Sequence, residues 1–323
     1  MIKLLYLVLC QMKKVNSMTL EQVINEFKEK SYMLKMGKGL LAKRLKTTAD
    51  VIVEAKKKVR NSLTLKDQNT DVKILILDIE TSPMQAYVWK RWKENISLDQ
   101  TISEWFILCW SAKWLGTNET FGDVLTPEEV EKEDDMRICY SLWHALNDAD
   151  IVIAHNGNRF DIPKINSRFI VNGFLPPAPY RQIDTLEVAK KNFGFSSNKL
   201  DALAGYFGII HKDPTDFNLW KRCMNGDKAA LSYMYNYNKK DVEILESVYM
   251  VLRPWIKNHP NIATITMAED NVCPICGKKD LMELPNKFIG TNVSQYQVYR
   301  CRDCRAVVRG REKINEKVKL ITV

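Results

Sequence analysis

The clearest apolar signal along the chain is the nearly unbroken run from Val72 to Leu77, which leads straight into Asp78-Ile79-Glu80-Thr81. A strand covered on both faces reads this way, because neither face alternates with polar residues. Shorter runs at Trp105–Trp110 and Ile151–His155 predict further strands. Elsewhere the apolar positions recur at helical spacing, over 134–147, 162–172, 199–207 and 228–256. Strands first, then alternating helices and strands, predict a mixed α/β domain over residues 72–259.

Upstream, Thr19-Leu20-Glu21-Gln22 has the spacing of a capping box and predicts a helix start. Further helices are expected over 38–46 and 49–60, broken at Thr47-Thr48, with Leu40, Leu41, Leu45, Val51, Ile52 and Ala55 as a shared core. Helix, short turn, helix is the shape of a helix-turn-helix unit, so residues 18–62 are expected to form one. Its last helix carries Lys56, Lys57, Lys58 and Arg60, which read either as a recognition helix or as a solvated basic face. Residues 61–71 have little apolar content and read as a linker. The opening run from Leu4 to Cys10 is too short to span a bilayer. It follows a single Lys3 and has no small-residue cleavage site, so a signal peptide is not expected; a start at Met12 or Met18 is the plain alternative. No membrane association and a cytoplasmic location are expected.

Composition narrows the partner. Apolar residues make up 46% and charged residues 27%, the balance of an ordinary globular chain. The net charge of +9 favours a polyanion, nucleic acid foremost. Of the eight cysteines, four are scattered and four form two C-x-x-C pairs, Cys273–Cys276 and Cys301–Cys304. Each pair makes a tight knuckle that presents two thiolates, and two knuckles complete a tetrahedral site for one structural Zn²⁺. Residues 270–312 are therefore expected to be a zinc ribbon whose folding energy comes from the metal. Arg300, Arg302, Arg305, Arg309 and Arg311, with Tyr296 and Tyr299, suit either a nucleic-acid backbone or a docking protein.

Three acidic segments carry the candidate chemistry. Asp78 and Glu80 share one face of the first strand, since side chains alternate along it. Two carboxylates at the end of a buried strand repel each other and lose solvation, and a divalent cation relieves both costs. An acidic strand end open to water is the plain alternative. The second segment, His155-Asn156-Gly157-Asn158-Arg159-Phe160-Asp161, follows a strand at the position where α/β sites collect. Here Asp161 reads locally as a helix N-cap and His155 as a hydrogen-bonded structural residue. In the third segment Tyr237 and Asp241 stand at i, i+4 and project from one helix face.

Taken in order, these segments resemble the DEDD exonuclease superfamily, whose proofreading domains accompany DNA polymerases. The matching residues are Asp78 and Glu80, then Asp161, then Asp241. Tyr237 stands four before the last aspartate, and Asn236 occupies the place of the histidine that marks the other branch. The chain thus resembles the tyrosine branch and the exonuclease domains of family-B polymerases. The segments from Trp105 to Gly116, Gln182-Ile183-Asp184-Thr185, Asn198-Lys199-Leu200-Asp201 and Arg253-Pro254-Trp255 extend the likeness to stand-alone bacterial and phage relatives that often carry a cysteine ribbon.

The resemblance implies an RNase H-like fold and metal-dependent hydrolysis of phosphodiester bonds from nucleic-acid 3′ ends. It implies two Mg²⁺ or Mn²⁺ ions held by Asp78, Glu80, Asp161 and Asp241, with Tyr237 orienting the attacking water. Asn156 is expected to contact the substrate backbone, and Phe160 either to stack on a terminal base or to pack in the core. Asp184 is expected to support the site without ligating metal, and Asp201 to be a helix N-terminal acid. DNA 3′ ends are the expected substrate, with any polymerase or repair partner on a separate chain. An RNA-trimming exonuclease and a catalytically silent DNA-binding protein are the alternatives.

Overall fold

The computed structural model describes residues 18–29, 38–61, 72–209, 215–268 and 271–316; for residues 28, 29, 40 and 56–61 it describes the backbone only. The apolar opening run, the linker at 62–71, and the side chains of Leu40, Lys56, Lys57, Lys58 and Arg60 lie outside the described residues.

A five-stranded mixed sheet holds the molecule together. Its strands are β1 (Ile74–Thr81), β4 (Ile107–Trp114), β5 (Thr120–Val124), β6 (Ile151–Ala154) and β7 (Arg181–Asp184), in the order β5-β4-β1-β6-β7. β1 runs antiparallel to β4 and parallel to β6, so it is covered on both edges as well as both faces. That double cover is why its sequence is almost wholly apolar. A short ribbon, β2 (Gln85–Ala86) with β3 (Thr101–Ser103), rises between β1 and β4.

The alternation along β1 sorts its side chains into two cores. Leu75, Leu77 and Ile79 enter one apolar cluster, with α5 (Met136–Asp148) and α6 (Asp161–Val171). Ile74 and Ile76 enter the other, with α7 (Thr185–Asn192), α8 (Leu200–Tyr206) and the 25-residue α10 (Lys228–Leu252). Two shorter helices, α4 (Pro127–Glu131) and α9 (Phe217–Met224), complete this α/β unit, which has the RNase H-like arrangement that the resemblance implied.

The amino-terminal helices are α1 (Leu20–Glu29), α2 (Lys38–Arg44) and α3 (Ala49–Asn61). Val23, Phe27, Leu41, Leu45, Ile52 and Ala55 are buried within the same apolar cluster as α5 and β4. These helices are thus packed onto the sheet unit. The expected core residue Val51 is only half-buried, and Val23 and Phe27 do that work from α1.

At the other end α11 (Ile262–Ile265) leads into the antiparallel sheet β8 (Leu281–Gly290), β9 (Gln295–Cys301) and β10 (Val307–Lys313), with β9 central. Ile262 N donates to Pro274 O at 2.8 Å, which ties the first cysteine knuckle to α11. Among the described residues no helix is long and apolar enough to cross a membrane.

Element boundaries differ from the expectations in ways the packing explains. β1 continues through Thr81 because Asp78 and Glu80 still pair across to Ser111 and Cys109 of β4. The helix expected over 228–256 ends at Leu252 and tightens into a 3₁₀ turn at Arg253–Trp255, where Pro254 cannot donate to an α-helical ladder. β5, β7, α7 and α9 were not expected. β5 is half-buried throughout and β7 is exposed over half its length, so neither shows an apolar run.

Candidate metal centres and their surroundings

On β1 the even-numbered side chains face α10, and this brings Asp78 and Glu80 opposite Asp241 on that helix. Ligand oxygens of Asp78, Glu80 and Asp241 lie within 4.8 Å of one another. Asp241 is buried, at 4% exposure, while the two β1 carboxylates are half-buried. Three anions so close, with one of them shut from water, repel strongly in the absence of a cation. Their field reaches Cys109, across from Glu80 on β4: burial, and then the charges of Glu80 and Asp78, hold its thiol well above the usual range. The donors are all hard carboxylate oxygens, the set that suits Mg²⁺ or Mn²⁺.

Asp161 is not part of that trio. It is the first residue of α6 and is buried at 2% exposure. Its Oδ1 accepts a hydrogen bond from Ile79 N at 3.2 Å, between the two β1 carboxylates in sequence. The reason lies in the sheet. β6 pairs with β1 only as far as Ile76, so β1 outruns its neighbour, and Asp161 satisfies an amide that has no strand beside it. The N-cap expected at Asp161 is instead Phe160, which makes no side-chain cap. Burial pushes the Asp161 carboxyl up to about 7, opposed by hydrogen bonds from Ile79 and its own backbone amide and reinforced by the charge of Asp184. Asp161 therefore stands beside the trio, poised to change charge near neutrality when no cation is present.

Neighbouring side chains fix these groups. Asn238, fully buried on α10, donates Nδ2 to Asp78 Oδ2 at 2.6 Å. Asp184 accepts from Asn156 N at 2.9 Å, Asn158 N at 3.1 Å and Leu186 N at 3.0 Å, so it caps α7 and clamps the loop before Asp161. That loop needs its particular residues. Asn156 adopts φ 67°, a conformation asparagine tolerates, and a Cβ on Gly157 would meet Ala154 Cβ at 2.4 Å. His155 is held at both ring nitrogens, Nδ1 to Thr185 Oγ1 at 2.9 Å and Nε2 to Asn198 O at 3.0 Å, which is the structural role expected of it.

The remaining candidates are placed as follows. Tyr237 is half-buried one turn before Asp241 on α10, bordering a depression shared with Tyr233, Lys240 and Glu243. Phe160 is 38% exposed and belongs to neither core; the Lys164 ammonium lies 5.2 Å from its ring and 3.6 Å from that of Trp105. Asp201 sits in the first turn of α8. Asn238 was not expected as a site residue. Its position one after Tyr237 gave no sign that it reaches across to β1.

In the carboxy-terminal sheet, Sγ atoms of Cys273, Cys276, Cys301 and Cys304 lie within 4.8 Å of one another. The Cys273–Cys304 and Cys276–Cys301 pairs are each 3.6 Å apart. That is too long for a disulfide and close to the edge of about 3.8 Å for a tetrahedron of thiolates at Zn–S distances. Gly277, at φ 73°, closes the first knuckle against Ile262. The cluster fits a structural zinc ion.

A family model agrees with the fold. Residues 113–253 match a family model described as the RNase_H superfamily. This stretch includes Asp161, Tyr237 and Asp241 and leaves out β1 with Asp78 and Glu80. Among solved structures, the chain is similar to the family B DNA polymerase from the hyperthermophilic archaeon Pyrobaculum calidifontis, at 14% identity and a TM-score of 0.41. The similarity covers 63% of this chain and 28% of the polymerase, so the chain spans well under a third of that protein. No curated protein sequence matches.

The mixed sheet and flanking helices form an RNase H-like fold that carries a candidate metal site, a combination that suggests a nuclease. It is joined to a small sheet with a candidate zinc site.

Proposed function

We propose that the protein is a divalent-metal-dependent 3′–5′ exonuclease acting on nucleic-acid 3′ ends, DNA foremost. The observation that carries this reading is the convergence of Asp78 and Glu80 from β1 with Asp241 from α10, within 4.8 Å. The net charge of +9 supports a polyanionic substrate despite so acidic a centre.

In this reading Asp78, Glu80 and Asp241 would hold the cations, with Asp161 as a fourth carboxylate beside them. Bound there, Mg²⁺ or Mn²⁺ supplies Lewis acidity at the phosphodiester and lowers the pKa of water. The chain's own residues do the rest. Asn238 holds Asp78 in one orientation. The Ile79 amide does the same for Asp161. Tyr237 serves through its hydroxyl as a hydrogen-bonding orienter of water rather than as a base. Phe160 offers an exposed ring face beside Asp161 on which an unpaired terminal base can stack. The amino-terminal helices and the ribbon serve as flanking nucleic-acid-holding modules.

End-labelled single-stranded DNA and RNA, incubated with Mg²⁺, Mn²⁺ or EDTA, test the proposal. Laddering from the 3′ end that stops in EDTA is expected, faster on DNA. No cleavage of either polymer with either metal would sink it.

A further inference from the structure

The segment that leaves the acidic strand carries an unusual surface. Tyr87, Trp89, Trp92 and Leu98 are 74%, 92%, 82% and 88% exposed. Indoles are ordinarily among the best-buried side chains on average, and here two of them stand almost free of the protein. Lys90, Arg91 and Lys93 alternate with them and are exposed as well. No residue from 87 to 98 is buried, so the aromatic rings are not paying into any core.

The placement of this segment is fixed. Its base is closed immediately beyond β1: Ser82 N donates to Phe106 O at 2.9 Å, and Phe106 N donates to Ser82 Oγ at 2.9 Å. Above that, β2 pairs with β3, and Tyr87 N donates to Gln100 O at 2.9 Å while Gln100 Nε2 returns a bond to Tyr87 O at 3.1 Å. The aromatic and basic tip thus grows from the end of the strand that bears Asp78 and Glu80. Gln85 follows Glu80 by a stretch of chain that spans at most about 18 Å when fully extended.

We infer that this projection is a grip for an unpaired nucleic-acid strand, which stacks bases on Trp89 and Trp92 and pairs its phosphates with Lys90, Arg91 and Lys93. The inference rests on the nuclease reading for its position in the reaction and on the surface itself for its chemistry. Cations interleaved with free aromatic faces match a polymer that alternates phosphate and base, and a single strand alone exposes its base faces. The charge also answers a problem at the site. Three carboxylates repel an incoming phosphodiester, and a cationic lip at the end of the same strand offsets that repulsion before the substrate end arrives.

The test compares two substrates on the full-length protein: a labelled single-stranded oligonucleotide, and the p-nitrophenyl ester of thymidine 5′-monophosphate, which is too small to reach the projection from the acidic trio. The double variant Trp89→Ala with Trp92→Ala is expected to lower the ratio of kcat/KM for the oligonucleotide over that for the ester by about tenfold, the loss of about 1.4 kcal/mol of stacking. A second variant, Lys90→Glu with Arg91→Glu, should lower the same ratio and flatten its dependence on salt. A general folding defect lowers both rates together and leaves the ratio alone. An unchanged ratio in both variants overturns the inference and makes a protein partner the better occupant of the surface. If the wild-type protein cleaves neither substrate, the nuclease reading fails by itself. The grip is then scored by quenching of tryptophan fluorescence on adding the oligonucleotide, and it stands only if the lysine and arginine variant binds about tenfold more weakly.

Discussion

Asn238 Nδ2 lies 2.6 Å from Asp78 Oδ2, which links the middle of α10 to the acidic end of β1. Only the amide nitrogen can donate to a carboxylate, so the side chain has one useful orientation. The contact neutralises no charge, but it fixes one of the anions that must receive a cation. Replacing such a supporting residue costs metal affinity more than fold. Asn238→Ala is expected to raise the Mg²⁺ concentration for half-maximal cleavage by about tenfold while circular dichroism stays native. An unchanged metal requirement would remove Asn238 from the site.

The carboxylates themselves should behave differently. Asp78→Ala and Asp241→Ala are expected to abolish cleavage below detection, and in EDTA each should raise the melting temperature, because each removes one of three crowded anions. Near wild-type turnover by either variant retires the metal assignment. Tyr237→Phe should slow turnover less severely, leaving the metal requirement as it was.

Asp161 gives a pH signature in the metal-free protein. Its folded pKa of about 7 lies above the ordinary 3.8, so its contribution to stability is complete below about pH 3.8 and is lost as pH rises through 7. Above that pH the buried anion opposes folding. Asp161→Asn is thus expected to be more stable than wild type in EDTA at pH 8, by about 5 °C, and to lose that advantage progressively as pH falls from 7 toward 4. Thermal melts across this range decide it. An advantage independent of pH would show that the carboxyl does not titrate there.

A buried ion pair sets the largest stability effect. Asp135 is fully buried, and accepts Arg168 Nε at 2.6 Å, Arg168 Nη2 at 2.8 Å, Asn172 Nδ2 at 2.8 Å and Ile107 N at 3.0 Å. Together these bonds join α5, α6 and the start of β4. Asp135→Ala leaves the guanidinium without its counterion and is expected to cost about 3–5 kcal/mol, measurable by urea unfolding.

For the ribbon, metal analysis should return about one zinc per chain, and Cys301→Ser should abolish it. Chelation should unfold the β8–β10 sheet, seen as loss of amide protection there.

Much of the site was legible because its logic is local. The apolar run ending in Asp78 and Glu80, the polar turn after β6, and the Tyr237–Asp241 spacing each follow from strand or helix periodicity. The two cysteine knuckles are legible for the same reason. What escaped depends on partners distant in sequence. Asn238 is one more polar residue on a helix until β1 is laid across it. The bond from Ile79 to Asp161 exists because β6 stops short, and no spacing reveals where a neighbouring strand ends. The exposure of Trp89 and Trp92 was hidden too, since indoles in a sequence suggest a core rather than a projecting tip.

One helix links the surroundings of the two candidate metal sites. Asp241 and Tyr249 both lie on α10, separated by about 12 Å of helix rise. Tyr249 OH bonds to His259 Nε2 at 2.9 Å, close enough to the ribbon that the charges of Cys304 and Cys276 reach its phenol. Asp241 and the Tyr249–His259 bond therefore share one helix, so the helix that presents a carboxylate to β1 is also tied to the segment leading into the cysteine sheet.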